Sequence, residues 1–325
     1  MKIECLCFCI TVAALAGANP GFAQSYPVKP IRYIVPFAPS GTGDVCARFH
    51  AQGLQERFGQ PVVVENRAGA SQAIGIEAGV KSAPDGYTLV QGTSSGLVLS
   101  TVFAELGGKT LPYDPVKDLA PVTMVCTAPL YLAINAGLPA TSIKELIELA
   151  RKSPGKLTYA SNGTGSNMHL GMLLFGVRMN IDLLHVPYKA SAQATTDLVS
   201  GVVDMFLSGS LLLPHAKSGK LRVLASGGQQ RTRATPDVPT MVEAGVPGYE
   251  VTSWFAAMVP AGTPTAIIRR LREESEIVLK PGTPNANKVS DVELAASQPE
   301  QVAQRIESEF KVWRQVLRAA GIKPE

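Results

Sequence analysis

Aromatic residues make up only 6% of the 325-residue chain, and no run of Lys or Arg interleaves with them. A formal net charge of +4, from 30 basic and 26 acidic residues, is too mild and too scattered for a surface that tracks phosphates. Nucleic acid is therefore excluded as a partner. Histidine is scarce at 4 residues, and no His/Cys/Asp group has metal-ligand spacing, so no metal and no other cofactor is expected. No apolar run reaches the ~20 residues that a membrane-spanning helix needs. Of 5 cysteines, Cys5, Cys7 and Cys9 crowd the amino terminus, leaving Cys46 and Cys126 for the body of the protein. Both lie in apolar-periodic stretches and read as buried thiols. Export would permit a disulfide between them, but separation in sequence says nothing about reach.

The amino-terminal stretch "MKIECLCFCITVAALAGANPGFAQS" has what an export signal needs: Lys2, an apolar segment from Leu6 to Ala16, a Gly/Asn/Pro break, and small residues Gly21 and Ala23. Cleavage after Ala23 is expected, which places the mature protein, soluble, in the periplasm. None of the three leader cysteines sits in a lipobox, so no lipid anchor is expected.

An apolar fraction of 46% and a charged fraction of 17% suit a globular protein with a sizeable core, and the length suits two lobes. Strand-like runs such as "IRYIVPF", "PVVVEN", "YTLVQG", "LTYAS", "VDMFLS" and "SWFAAMVP" alternate with helix-like runs. This pattern predicts an α/β protein with parallel sheets covered on both faces. The clearest helix is "SIKELIELARK", where Ser142 and Glu145 form a capping box. Two long apolar runs, 118–135 and 248–264, read as joints. They divide the chain into a signal at 1–23, a first lobe at 26–123 plus 254–325, and a second lobe at 124–253. Two strands crossing between the lobes would make a hinge over a cleft.

"YIVPFAPSGTGDVCARF" (33–49) passes from a strand through a small-residue loop into a helix, an arrangement suited to an anion. A dinucleotide fingerprint fails, because Cys46 stands where the third Gly should be and Asp44 would face a diphosphate. "GTSSG" (92–96) matches the nucleophile turn of serine hydrolases, with Ser94 as nucleophile and Asp204 with His215, or Asp182 with His185, as acid and base. That secreted serine hydrolase is the alternative reading; the favoured one assigns no enzymatic activity. In the favoured reading, Phe37, Pro39, Ser40, Gly41 and Thr42, Thr93 and Ser94, Ser161 with Thr164, Gly165 and Ser166, and Ser208 all stand near the carboxyl ends of strands. Ligands bind at that edge in open α/β sheets, and free N–H groups and hydroxyls there suit a carboxylate. His169 and His185 read as cap or core histidines. Asp44 reads as a helix cap or a contact for a ligand amino group, and Tyr188 as a residue that lines the cleft or merely packs.

At these residues the chain resembles the substrate-binding proteins of tripartite tricarboxylate transporters, the TctC/Bug family. The resemblance rests on "YPVKPIRYIVPF…GTGD", "FGQPVVVENRAGA", "APDGYTLVQGT", "LPYDPVKDLAPVT", "SPGKLTYAS", "HVPYK", "VPTMVEAGVPGYEVTSWF" and "AAGIKPE". It implies a type II, Venus-flytrap periplasmic binding protein that works as a monomer. Its ligand would be a small carboxylate: a di- or tricarboxylate, an acidic amino acid or an aromatic acid. Its partner would be a membrane permease. The family's ligand loops map onto Phe37 through Asp44 and Ser161 through Ser166, with Thr93 and Ser94 added. The chain departs from the family pattern at "PFAPSGTGD", at Ser208-Gly209, at Ala190 and over 281–298.

Overall fold

The structure, a computed structural model, describes residues 26–39, 42–188, 190–280, 282–283 and 292–319. The expected signal at 1–23, Ser40 and Gly41 of the first loop, and half of the divergent 281–298 segment lie outside these residues.

Eleven strands of the described residues form two sheets. The first has the order β11-β4-β10-β3-β1-β2, from β1 (Ile31–Val35), β2 (Val62–Asn66), β3 (Thr88–Thr93), β4 (Leu119–Pro129), β10 (Thr252–Pro260) and β11 (Glu293–Leu294). The second has the order β7-β6-β8-β5-β9, from β5 (Tyr131–Asn135), β6 (Thr158–Ser161), β7 (Leu184–Pro187), β8 (Met205–Ser208) and β9 (Leu221–Ser226). Ile31, Tyr33, Ile34 and Val35 of β1 are all buried, as expected for an inner strand covered on both faces. The helices are α1 (Thr42–Phe58), α2 (Ala73–Val80), α3 (Ser100–Leu106), α4 (Ile143–Lys152), α5 (Asn167–Met179), α6 (Ser191–Ser200), α7 (Leu213–Lys217), α8 (Thr265–Val278) and α9 (Pro299–Ala319).

The sheets are mixed rather than parallel. Helix crossovers keep β1 parallel to both β2 and β3, and β6 parallel to both β7 and β8. The strand returning from the second lobe must enter in the opposite direction, so β10 is antiparallel to both β3 and β4. Likewise β5 is antiparallel to β8 and β9. The outgoing strand β4 stays paired with β10 as far as Pro129, opposite Thr252. The chain therefore passes from the first sheet to the second at Leu130. Val122, Val125, Cys126 and Ala128 of β4 all feed the core of the first lobe.

Local chemistry explains the helix ends. Ser142 Oγ accepts from the Glu145 amide at 3.2 Å, and the Glu145 carboxylate reaches back to Thr141, accepting from its amide at 2.6 Å. The box thus closes one residue earlier than the sequence pattern suggests. Val302, Ile306, Phe310, Trp313 and Leu317 recur at helical spacing on one face of α9 and are buried. That helix packs against β4 and also touches α5 of the second lobe.

Cys46 and Cys126 are disulfide-bonded, with Cα atoms 6.4 Å apart. This corrects the reading of two buried thiols: α1 lies across β4, so residues 80 apart in sequence meet in the core of the first lobe.

A candidate ligand site at the facing sheet edges

Strands β1, β2, β3 and β4 run in one direction, and β6, β7 and β8 share a direction in the second sheet. The carboxyl edge of the first sheet holds Val35, Asn66, Thr93 and Pro129. The same edge of the second holds Ser161, Pro187 and Ser208, with the start of β5 at Tyr131. One residue, Leu130, joins Pro129 to Tyr131. The two carboxyl edges therefore meet at the crossover.

On the first lobe, Phe37 is half-buried and its ring meets Phe255 edge-on, centroids 6.0 Å apart. Gly43 is required here, since a β carbon would stand 2.7 Å from the Phe37 ring and 2.8 Å from that of Phe255. Asn66 pins the loop, donating to the Phe37 carbonyl at 3.0 Å and to Asp44 Oδ1 at 2.8 Å. Arg48 Nε donates to Asp44 Oδ2 at 2.9 Å. Asp44 is thus a buried, charge-balanced brace within the first turn of α1, which begins at Thr42, and not a cap ahead of that helix. Pro39 and Thr42 are exposed at the rim.

The turn after β3 uses its hydroxyls internally. Thr93 Oγ1 accepts from the Gly96 amide at 3.0 Å and donates to Gln72 Oε1 at 2.6 Å. Ser94 Oγ donates to Glu309 Oε2 at 2.5 Å. This turn is π-helical over Ser94–Leu99, a form often found at functional sites. Ser95, half-buried, is its most accessible residue.

Sequence reading passed over the 3₁₀ turn Ala70–Gln72 at the end of β2, although "RAGASQ" has the composition of the other loops. Ala70 and Gln72 both hold left-handed backbone, at φ 45° and 81°, a strained state that clusters at ligand sites.

On the second lobe, Ser161 Oγ bonds His185 Nε2 at 2.6 Å. Gly163 and Gly165 take φ of 99° and 82°, conformations that favour glycine. Ser166 caps α5, accepting from the His169 amide at 3.2 Å. His169 Nδ1 in turn accepts from the Gly165 amide at 3.1 Å. The His169 and His185 rings stack at 4.1 Å, and the His185 ring stacks on Tyr159 at 5.0 Å. Burial, with the neighbouring His185 adding to it, lowers the His169 pKa to about 4, and burial lowers that of His185 as well. The pair is a neutral support beneath the loop at neutral pH. Thr164 is exposed at the loop tip, and a β carbon on Gly165 would stand 3.3 Å from the Phe103 ring of α3. The second-lobe loop therefore reaches the first lobe beside the turn that follows β3. Ser208 is fully buried, and its Oγ has no partner among the described residues. Tyr188 packs, donating to Asp197 Oδ2 at 2.9 Å.

The hydrolase constellation is not assembled. Ser94 donates to a carboxylate of the C-terminal helix, Asp204 accepts from Thr158 in the second sheet at 2.8 Å, and His185 is engaged with Ser161.

A family model described as the tripartite tricarboxylate transporter family receptor, TctC, matches residues 46–322. The chain belongs to that family. Protein BugT of Bordetella pertussis is 39% identical over 321 residues, covering 97% of this chain and 96% of its own. Among solved structures, an adipate-bound protein of R. palustris shares 33% identity at a TM-score of 0.78, with 92% of this chain and 100% of that chain covered. The malate-bound protein MatC of Rhodopseudomonas palustris shares 27% identity at a TM-score of 0.70, with 90% of this chain and 100% of that chain covered. The periplasmic binding protein BugD shares 29% identity at a TM-score of 0.72, covering 92% of this chain and 99% of that chain. TctC proteins have the two-lobed periplasmic binding fold and are solute-binding proteins, not enzymes. Among the described residues no helix is long and apolar enough to cross a membrane.

Proposed function

We propose that this TctC protein is exported to the periplasm, captures a small carboxylate between its lobes as a monomer, and delivers it to the permease of a tripartite tricarboxylate-type transporter. The observation that carries the proposal is the meeting of two carboxyl sheet edges, each with a small-residue loop leading into a helix, at the crossover. Backbone N–H groups at such helix entries favour negative charge without a cationic side chain. Solved relatives hold adipate and malate, which have carboxylates at both ends and no amino group. Asp44 supports the same chemistry here. Its oxygens accept from Asn66 and Arg48, so the acid does not call for a ligand ammonium. Dicarboxylates are therefore expected to bind ahead of acidic amino acids.

Thermal-shift screening against adipate, malate, citrate, aspartate, glutamate and benzoate tests this. A saturable upward shift with a dicarboxylate is expected, worth about 2.7 kcal/mol at a hundredfold excess over Kd. No shift with any carboxylate would overturn the reading. Thr164 is exposed at the tip of the second-lobe loop, where an indole would fill the space a ligand needs. Thr164→Trp is expected to abolish the shift while moving the unliganded midpoint by no more than about 2 °C, as a surface change should.

A further inference from the structure

Glu309 is the one acidic side chain of α9 joined to both the turn after β3 and the crossover strand. Its side chain is 17% exposed, where α9 packs against β4 and the π-helical turn Ser94–Leu99. Oε2 accepts from Ser94 Oγ at 2.5 Å. Oε1 accepts from the Trp254 indole Nε1 at 2.7 Å and from Arg305 Nε at 3.2 Å. Ser94 is on the ligand-side turn of the first lobe, and Trp254, buried, is on β10. Arg305 continues the chain of contacts. Its Nη2 donates to Thr252 Oγ1 at 2.9 Å and lies 3.1 Å from Glu250 Oε1, on the segment arriving from the second lobe.

Desolvating a carboxylate is costly unless its oxygens are satisfied, and here an indole N–H, a hydroxyl and a guanidinium satisfy them. Burial pushes the Glu309 pKa up, while Arg305 and the two donors pull it back. Such a group gains little from packing alone, and removing any one donor leaves a buried oxygen under-satisfied. Glu309 thus joins the ligand turn to the crossover strand, and Arg305, one turn earlier on α9, extends the link to Thr252 and Glu250 on the segment arriving from the second lobe.

We propose that Glu309 is a positioning residue that ties the ligand-side turn at Ser94 to the hinge strand at Trp254, so that the state of the cleft and the state of the hinge report on each other. This rests on the reading of the turn after β3 as part of a ligand site. The coupling itself is a property of the unliganded protein. Because coupling is reciprocal, a lesion at either end must be felt at the other.

Amide hydrogen exchange on the unliganded full-length protein tests it. Ser94→Ala is expected to raise exchange at residues 252–255 at least fivefold, and Trp254→Phe to raise it at 94–97. Exchange at 205–207, in the second sheet, should stay within twofold and so exclude a global loss of stability. Glu309→Ala should affect both segments, and Glu309→Gln, which keeps an acceptor for the indole and a donor for the serine hydroxyl, should restore both to within twofold. In a Trp313→Phe background, where Trp254 is the remaining tryptophan, its emission should shift with Ser94→Ala. Exchange at 252–255 within twofold of wild type in Ser94→Ala would overturn the proposal, and that variant decides even if Glu309→Ala does not fold. Adipate added to the wild type reads the other question. If adipate and malate leave exchange and emission unchanged, the carboxylate reading fails while the coupling still stands or falls on the unliganded measurements.

Discussion

A single atom decides the shape of the first ligand loop. Gly43 sits where the Phe37 and Phe255 rings converge, and even a methyl group would overlap both. Ala is the better helix former by about 1 kcal/mol, but overpacking two rings already in contact costs about 1–3 kcal/mol. Gly43→Ala is therefore expected to destabilise the protein by about 1 kcal/mol in urea unfolding and to weaken carboxylate binding by displacing Phe37. His50 shows a different residue-scale effect. It is fully buried against Ser275, with Nδ1 unpartnered among the described residues, and burial lowers its pKa to about 3 from 6.5. Between those values the unfolded chain binds one more proton than the folded one, so stability rises with pH across the window. The contribution is complete above pH 6.5 and drains as pH falls toward 3, by about 1.4 kcal/mol per pH unit. His50→Leu should flatten the stability profile between pH 4 and 6 by that slope, measured by denaturant unfolding at each pH.

At the scale of elements, periodicity and turn chemistry made most strands and helices legible. Ile143, Leu146, Ile147 and Ala150 share the buried face of α4 that their spacing implies. The form of helical turns built from small residues was not legible. The 3₁₀ turn Ala70–Gln72 and the π-helical turn Ser94–Leu99 have no apolar periodicity to announce them, and their geometry comes from tertiary partners. Ser94 read as a free hydroxyl because its acceptor, Glu309, lies 215 residues away. The same blindness to distance hid the disulfide, which exists because α1 crosses β4. Its loop of 80 residues corresponds to about 4.5 kcal/mol of restricted unfolded-state entropy in the chain-entropy model. The Cys46→Ala/Cys126→Ala variant is expected to lose a large part of that in urea unfolding. Unfolding the wild type with and without a reductant gives the same comparison.

For the molecule as a whole, the apolar runs at 118–135 and 248–264 suggest two lobes joined by two strands, and in the structure the strands fall into two sheets, with Leu130 between the last strand residue of one and the first of the other. The candidate site was legible as loops, because small residues after strands point to the carboxyl edge of a sheet. Which groups in those loops remain available was not legible. Thr93, Ser94, Ser161 and Ser166 all spend their hydroxyls on the protein, so the proposed site would offer an anion main-chain amides and the Ser208 hydroxyl rather than these four side chains. Such a site discriminates by shape and charge distribution more than by individual side chains. Relatives with the same fold can thus hold different acids, as the adipate and malate complexes do.

The placement of β10 has a consequence for biogenesis. It lies between β3 and β4, yet it is made after the whole second sheet, whose strands are contiguous from Tyr131 to Ser226. A polypeptide emerging amino end first can complete that sheet early, while β3 and β4 wait with bare flanks for a neighbour more than a hundred residues downstream. Unpaired strand flanks invite pairing between molecules. The newborn first half therefore needs shielding from other nascent copies until residue 260 has been delivered.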